Sequence, residues 1–516
     1  GYELLSNFYG RNEKLDKAVE TLEEGLDAHP EDLGLKRRLM KTLFLPGSVQ
    51  DRQKALEILA ELEEQMPQDP ELMKFQVLHL LEDSTPQSRE AARKILENVV
   101  KLEPTAVDAH LMLIGIAMQE KHYENARDAL IRAIGSNPDS VPLLSARGKV
   151  ELALKNTQMA GRLANLVLQK DPNNIEARDV LVTAALNSKD RGLLHDARML
   201  LESAIGRDSK DEKLLISWAH VLIAMDLPLS AIPELEAYCQ TKEGSSSVDA
   251  IVTLADLYRI SGDMSQAKNK IDQAEKIAPN SLTVIHARFL WLVAQNRFEE
   301  LTGISSAYLS AKEQNPITLV NAATILTSLN SMILKKEGLR LFEHAVTLSP
   351  SSKDARLGMA FSFYQTGNAE RAEKIYQELL LEYPNDIQIL NDLAWILQEH
   401  YKRYTDALEL ANKALRIAPD DKNVLDTRGT ILSNLPGRLV DAKNDFEKLV
   451  SASPPDSPQL AKKLLQLGRI CVKLNDLKQA KLHMEKAWEI DQKIGDNVFT
   501  PNEQSEITGI LQRNGP

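Results

Sequence analysis

The sequence predicts an all-α fold in which antiparallel helix pairs pile up in chain order. Three observations carry that prediction. The first is the stretch 353–384, KDARLGMAFSFYQTGNAERAEKIYQELLLEYP, where two apolar stripes flank the turn Thr366-Gly367-Asn368. Leu357, Phe361 and Tyr364 form one stripe; Ala372, Ile375, Tyr376 and Leu379 form the other, each at helical spacing. The second is recurrence. Ala360, Ala372, Leu379 and Pro384 stand 12, 7 and 5 residues apart, and so do Ala255, Ala267, Ala274 and Pro279, and Gly148, Ala160, Val167 and Pro172. The third is a ladder of helix-ending residues: Pro30, Pro67, Pro104, Pro138, Pro172, Ser209, Ser245, Pro279, Pro316, Pro350, Pro384, Pro419 and Pro454. Its steps of roughly 34 to 37 residues match paired-helix repeats. One such pair cannot bury both its apolar faces, so it needs a neighbour on each side.

With these residues the chain resembles the tetratricopeptide repeat family, over nearly its whole length and in about fourteen units. The resemblance implies an α-α superhelix, a right-handed solenoid.

Composition agrees. Leu and Ala supply much of the 43% hydrophobic content while aromatics are only 5%, which suits helix-on-helix packing. No alternating apolar run is long enough for a sheet. The net charge of −12 argues against a nucleic-acid partner, because phosphate contacts need a basic face. No run reaches the roughly 20 apolar residues of a membrane helix. Cys239 and Cys471 are too distant in a stacked array to pair, and are expected to fill small buried gaps. The chain starts at Gly1 within a repeat, with Tyr2, Leu5, Ser6 and Tyr9 at first-helix positions. That is the expectation for a processed chain or a fragment.

In order along the chain, Ala18 takes the tight-packing position of the first unit. Insertions are expected at the inter-helix turns Leu45-Pro46-Gly47-Ser48 and Asp83-Ser84-Thr85-Pro86. Ala126 and Ala133 then share one helical face, where a leucine should cost on the order of 1–3 kcal/mol by overpacking. The run QTKEGSSS at 240–247 reads either as a break between two arrays or as a long inter-repeat loop. The expected division is an N-terminal array over 1–245, a C-terminal array over 246–492 and a capping helix over 493–516. The unit ending at Pro316 is the weakest, with Gly303 and Ile304 where alanine is usual. At the end, Thr500 and Glu503 form a capping-box pattern around Pro501, followed by Ile507, Ile510 and Leu511. A helix there would cover the last repeat.

Catalytic and metal signatures are not found. There is no GxGxxG, no phosphate-loop Gly-Lys-Ser/Thr and no HExxH. The ten histidines are scattered, and His400 beside Glu399 reads as a solvated helix end. The expectation is a non-enzyme without cofactor or metal.

In the family that the chain resembles, first helices line a concave face where extended peptides or partner helices bind. The matching inward positions are Asp256, Arg259, His286, Phe361, Tyr364, Asn391, Trp395, Gln398, Asp426, Asn434 and Arg469. Asn391 offers a donor and an acceptor to a peptide backbone, and Trp395 a large apolar anchor. Trp395 equally suits the inter-repeat core, and Asp256 and Arg259 a mutually paired surface. The lysine, arginine and asparagine set with which one subgroup grips a C-terminal carboxylate is not present around Gln388, Asn391 and Trp395.

The function expected is therefore a scaffold for protein or peptide partners, with self-association through the array ends as a further expectation. The segment LNDLAWILQ from Leu390 resembles repeats of bacterial envelope proteins that organise exopolysaccharide synthesis and export. It favours a periplasmic or envelope-associated setting over a cytoplasmic one. The alternative is the regulatory or targeting arm of a larger enzyme whose catalytic domain lies outside this chain.

Overall fold

The computed structural model describes the chain except residues 13, 45–48, 84, 207–210, 496–497 and 513–516, and gives only the backbone of 49 and 50. The expected insertion at 45–48, position 84 and the helix-ending Ser209 lie outside the described residues. Among those described there are 29 α-helices and no strand. They divide into two compact units, Gly1–Gly244 and Ser245–Pro516.

The first unit holds seven helix pairs. They are α1 (Tyr2–Arg11) with α2 (Leu15–Ala28), α3 (Leu33–Phe44) with α4 (Val49–Gln65), and α5 (Pro70–Glu82) with α6 (Pro86–Leu102). Then come α7 (Val107–Gln119) with α8 (Tyr123–Ser136), and α9 (Val141–Ala153) with α10 (Thr157–Lys170). Last are α11 (Ile175–Ser188) with α12 (Arg191–Ile205), and α13 (Glu212–Ala224) with α14 (Ile232–Cys239).

The second unit holds seven more and a final helix. Its pairs are α15 (Val248–Ile260) with α16 (Met264–Ile277), α17 (Leu282–Ala294) with α18 (Ile304–Leu309), and α19 (Pro316–Ser328) with α20 (Met332–Leu348). There follow α21 (Lys353–Gln365) with α22 (Ala369–Glu382), and α23 (Ile387–Glu399) with α24 (Tyr404–Ile417). The unit closes with α25 (Lys422–Leu432) and α26 (Leu439–Ser451), α27 (Pro458–Lys473) and α28 (Leu477–Ile494), and the single α29 (Pro501–Gln512).

Within each unit packing runs from neighbour to neighbour, as a repeat array requires. Helices meet the next in order, save that α18 packs on α17 and α20, and first helices meet the first helix of the following pair: α7 on α9 and α9 on α11, or α19 on α21 and α21 on α23. Small side chains let the backbones approach. Ala126, Ala133, Ala160, Ala267, Ala274, Ala360 and Ala372 are all fully buried. The helix starts are fixed chemically. Asp69, Asn174, Asp211, Ser247, Asp386 and Asp421 each accept first-turn backbone N–H groups of the helix that follows.

Three details refine the expectations. Pro316 does not end a helix; it is the first residue of α19, behind the N-cap Asn315, whose side chain accepts from the Ile317 N–H at 2.9 Å. The helix before it is broken. A 3-10 turn over Phe298–Leu301 gives way to Gly303 at φ +80°, a left-handed conformation that favours glycine, and α18 restarts for one short stretch. The buried Glu337 of α20 holds the restart, accepting the Ser305 N–H at 3.1 Å and its hydroxyl at 2.7 Å. Finally, the run 240–247 is a hydrogen-bonded turn. The Thr241 hydroxyl donates to the Tyr238 carbonyl at 2.7 Å and accepts the Gly244 N–H at 3.0 Å; Ser247 then caps α15.

At the C-terminus Thr500 and Glu503 exchange hydrogen bonds reciprocally. Ile507 and Ile510 of α29 join the apolar cluster of Leu464, Leu465, Met484 and Ala487.

Candidate protein-binding groove

The first helices α19, α21 and α23 lie side by side and enclose an open cavity of about 640 Å³. That is within the range of small-ligand and side-chain pockets. Its apolar part is Val320, Leu357, Phe361 and the ring of Phe342, which reaches in from α20. Gly358 makes room for that ring; a Cβ at position 358 would meet Phe342 Cε1 at 2.1 Å. Phe361 stands 45% exposed at the rim, unusual for so large an apolar side chain.

The polar part is acidic. Asp354 and Asp392 line the cavity, and no lysine or arginine does among the described residues. Asp392 accepts from the Asn391 amide at 3.3 Å and from the buried Tyr376 hydroxyl at 3.4 Å. Burial nevertheless pushes its carboxyl up to about 6, against the lowering effect of hydrogen bonds from Asn391, Tyr376 and Gln388. Near neutral pH it is ionised in its greater part. The carboxamide oxygens of Gln365 and Asn391 are buried and accept no hydrogen bond from the described residues. A buried acceptor without a donor is costly, so each favours an incoming N–H.

Of the residues expected to bind, Phe361 lines this cavity. Tyr364 and Trp395 come close to each other and neither lines it. Asn391 flanks it through Asp392.

The others are engaged within the chain. Gln398 is only 1% exposed, which is a correction: it belongs to the core, because its position on α23 turns inward between repeats. His286 hydrogen-bonds the buried Tyr308 hydroxyl at 2.8 Å and stacks on Phe289, and burial pushes its imidazole below the usual range. Asp256 and Arg259 pair with each other at 3.0 Å. Asp426 pairs with Lys463 at 2.5 Å. Asn434 lies past the end of α25 and donates to the Thr430 carbonyl at 3.0 Å. Arg469 is forked onto Glu506 of α29 at 2.6 and 3.0 Å, so the final helix holds it.

Sequence reasoning missed Asp354, Gln365, Gln388 and Asp392. The first two were legible: 354, 357, 361 and 365 continue the helical stripe on which Phe361 lies. On α23 the stripe taken was 391, 395 and 398, whereas the cavity takes 388 and 392, a rotation by one residue or about 100°.

Among the described residues no helix is long and apolar enough to cross a membrane, and no three His, Cys, Asp or Glu side chains are grouped to hold a metal ion. Fold and groove together define a helical-repeat scaffold for protein–protein interaction. Tetratricopeptide repeat family models match residues 87–150 and 336–396, and a second model of the same description matches 464–494. The chain thus carries tetratricopeptide repeats at these residues, and the match at 336–396 spans most of the cavity wall. Among solved structures it is similar to one named MamA MSR-1 C2, at 19% identity over 34% of this chain and 94% of that one, with a TM-score of 0.29. No curated protein sequence matches it.

Proposed function

We propose that the chain is a non-catalytic scaffold that takes an extended segment of another protein into the groove across α19, α21 and α23. One observation carries this reading: an exposed aromatic at Phe361 beside two carboxylates and an undonated buried acceptor, Gln365 Oε1, all around one cavity. The chemistry fits a peptide with an apolar side chain for Leu357, Phe342 and Phe361, a lysine or arginine for Asp354 and Asp392, and backbone N–H groups for the carboxamides. As setting we attach the assembly of a bacterial envelope or polysaccharide-secretion complex; what supports it is the resemblance carried by residues 390–398. The same groove would serve a larger enzyme as a docking arm, and the complete reading frame separates the two.

The experiment is selection from a random-peptide library on the whole chain. Enriched peptides should pair an aromatic or branched aliphatic residue with a nearby lysine or arginine. They should lose about tenfold or more in affinity on Phe361→Asp, a change at an exposed site that spares the fold. Enrichment without such a motif, or affinity indifferent to Phe361→Asp, sinks the proposal.

A further inference from the structure

The first unit has a groove of its own, built from α1, α3 and α5, with a cavity of about 620 Å³. Its charge is the reverse of the other. Arg11, Arg38 and Lys41 line it, and among the described residues no carboxylate does. This occurs in a chain whose net charge is −12, where a groove lined by cations and by no carboxylate is not what composition alone would give.

The cations differ in how they are held. Lys41 is paired with Glu71 of α5, outside the lining. Its neighbour Arg37 faces Asp69 and Glu71. Arg11 and Arg38 have no ion-pair partner among the described residues, although most arginines in the chain have one.

The apolar side of the groove is aromatic. Phe44 and Phe75 pack with ring centroids 4.9 Å apart, the Arg52 guanidinium covers Phe44 at 4.5 Å, and Leu78 is exposed at the edge. Two unpaired guanidinium groups beside an aromatic shelf match carboxylates spaced around a large apolar side chain.

We infer that this groove is a second binding site, for an acidic segment of a partner protein that carries a phenylalanine, tyrosine or leucine among its aspartates and glutamates. The two units would then select partners of opposite charge. The site does not depend on the cavity lined by Phe361, and either can fail alone.

The test uses the whole chain and two fluorescein-labelled twelve-residue peptides. One repeats Glu-Phe-Asp-Leu; the other has lysine at every acidic position. The acidic probe should bind and weaken steeply with salt between about 50 and 300 mM, as screening requires. Arg11→Gln with Arg38→Gln should lower its affinity by about tenfold or more, and Phe361→Asp should leave it unchanged. Both arginines are surface side chains, and an unchanged melting temperature of the double variant separates lost binding from lost fold. With benzophenone at the phenylalanine, irradiation should crosslink to Phe75 or Leu78.

Equal affinity for the lysine probe would overturn the inference, as would binding insensitive to the double variant or crosslinks confined to the second unit. A dimer that Arg38→Gln dissolves, without probe binding, would mean that a second copy fills the groove, and overturns it too. Displacement of the acidic probe by a short single-stranded oligonucleotide at lower concentration than by unlabelled peptide would do the same.

Discussion

The ring of Phe342 occupies the space that a side chain on Gly358 would need, with only 2.1 Å between its Cε1 and the position of a Cβ there. The first helix α21 and the second helix α20 of the preceding pair are thereby locked at close range, and the groove floor is set by their contact. Gly358→Ala should destabilise the chain by about 1–3 kcal/mol through overpacking, despite its better helix propensity. Phe342→Leu in the same molecule should recover part of the loss. Urea unfolding of the two single variants and the double variant measures the coupling.

Asp392 gives the second unit a pH dependence with a definite sign. Its native carboxyl titrates at about 6, above the ordinary value near 3.9. Between those values the native chain keeps a proton that the unfolded chain has released. Stability from this group is therefore full below about pH 4 and is lost as pH rises through about 6. Asp392→Asn should flatten the stability profile over that interval and add up to about 2 kcal/mol at pH 8. Thermal melts of both proteins from pH 4 to pH 8 read it out.

Glu337 ties the broken second helix of the α17–α18 pair to the next repeat. Its carboxylate takes the Ser305 N–H and hydroxyl, and α18 has no side-chain cap of its own. Glu337→Ala would leave both donors buried without an acceptor, at a cost of about 1–3 kcal/mol. Hydrogen exchange should quicken first in α18. Glu337→Gln, which keeps one acceptor, should lie between the variant and the parent.

The final helix α29 covers apolar surface that would otherwise lie open. Ile507 is fully buried among Leu464, Leu465 and Met484. Ile507→Glu should lift α29 and expose that cluster, and mass measured by light scattering should then rise with concentration. If the variant stays at the parent's mass while α29 exchanges freely, the exposed end is not adhesive.

Much of this was legible in the residues. The helix pairs follow from Ala360, Ala372 and their equivalents, because small buried positions and turn prolines recur in sequence. The capping box at Thr500 and Glu503 was equally plain, being local. The groove was harder. Phe361 could be named because its stripe is regular, but Gln398 and Asp392 differ by less than two turns of one helix, and only packing decides which faces the neighbour. Arg469 could not be read as held, since Glu506 reaches it from 37 residues away. The short α18 was visible as irregularity at Gly303, yet its repair by Glu337 depends on a contact with the following repeat.

The most direct measurement is amide hydrogen exchange of the whole chain with and without a saturating peptide selected on it. Added protection should concentrate in α19, α21 and α23 and disappear with Phe361→Asp. Protection in the second helices α20, α22 and α24, or an unchanged pattern at saturation, would contradict a partner seated across the first helices.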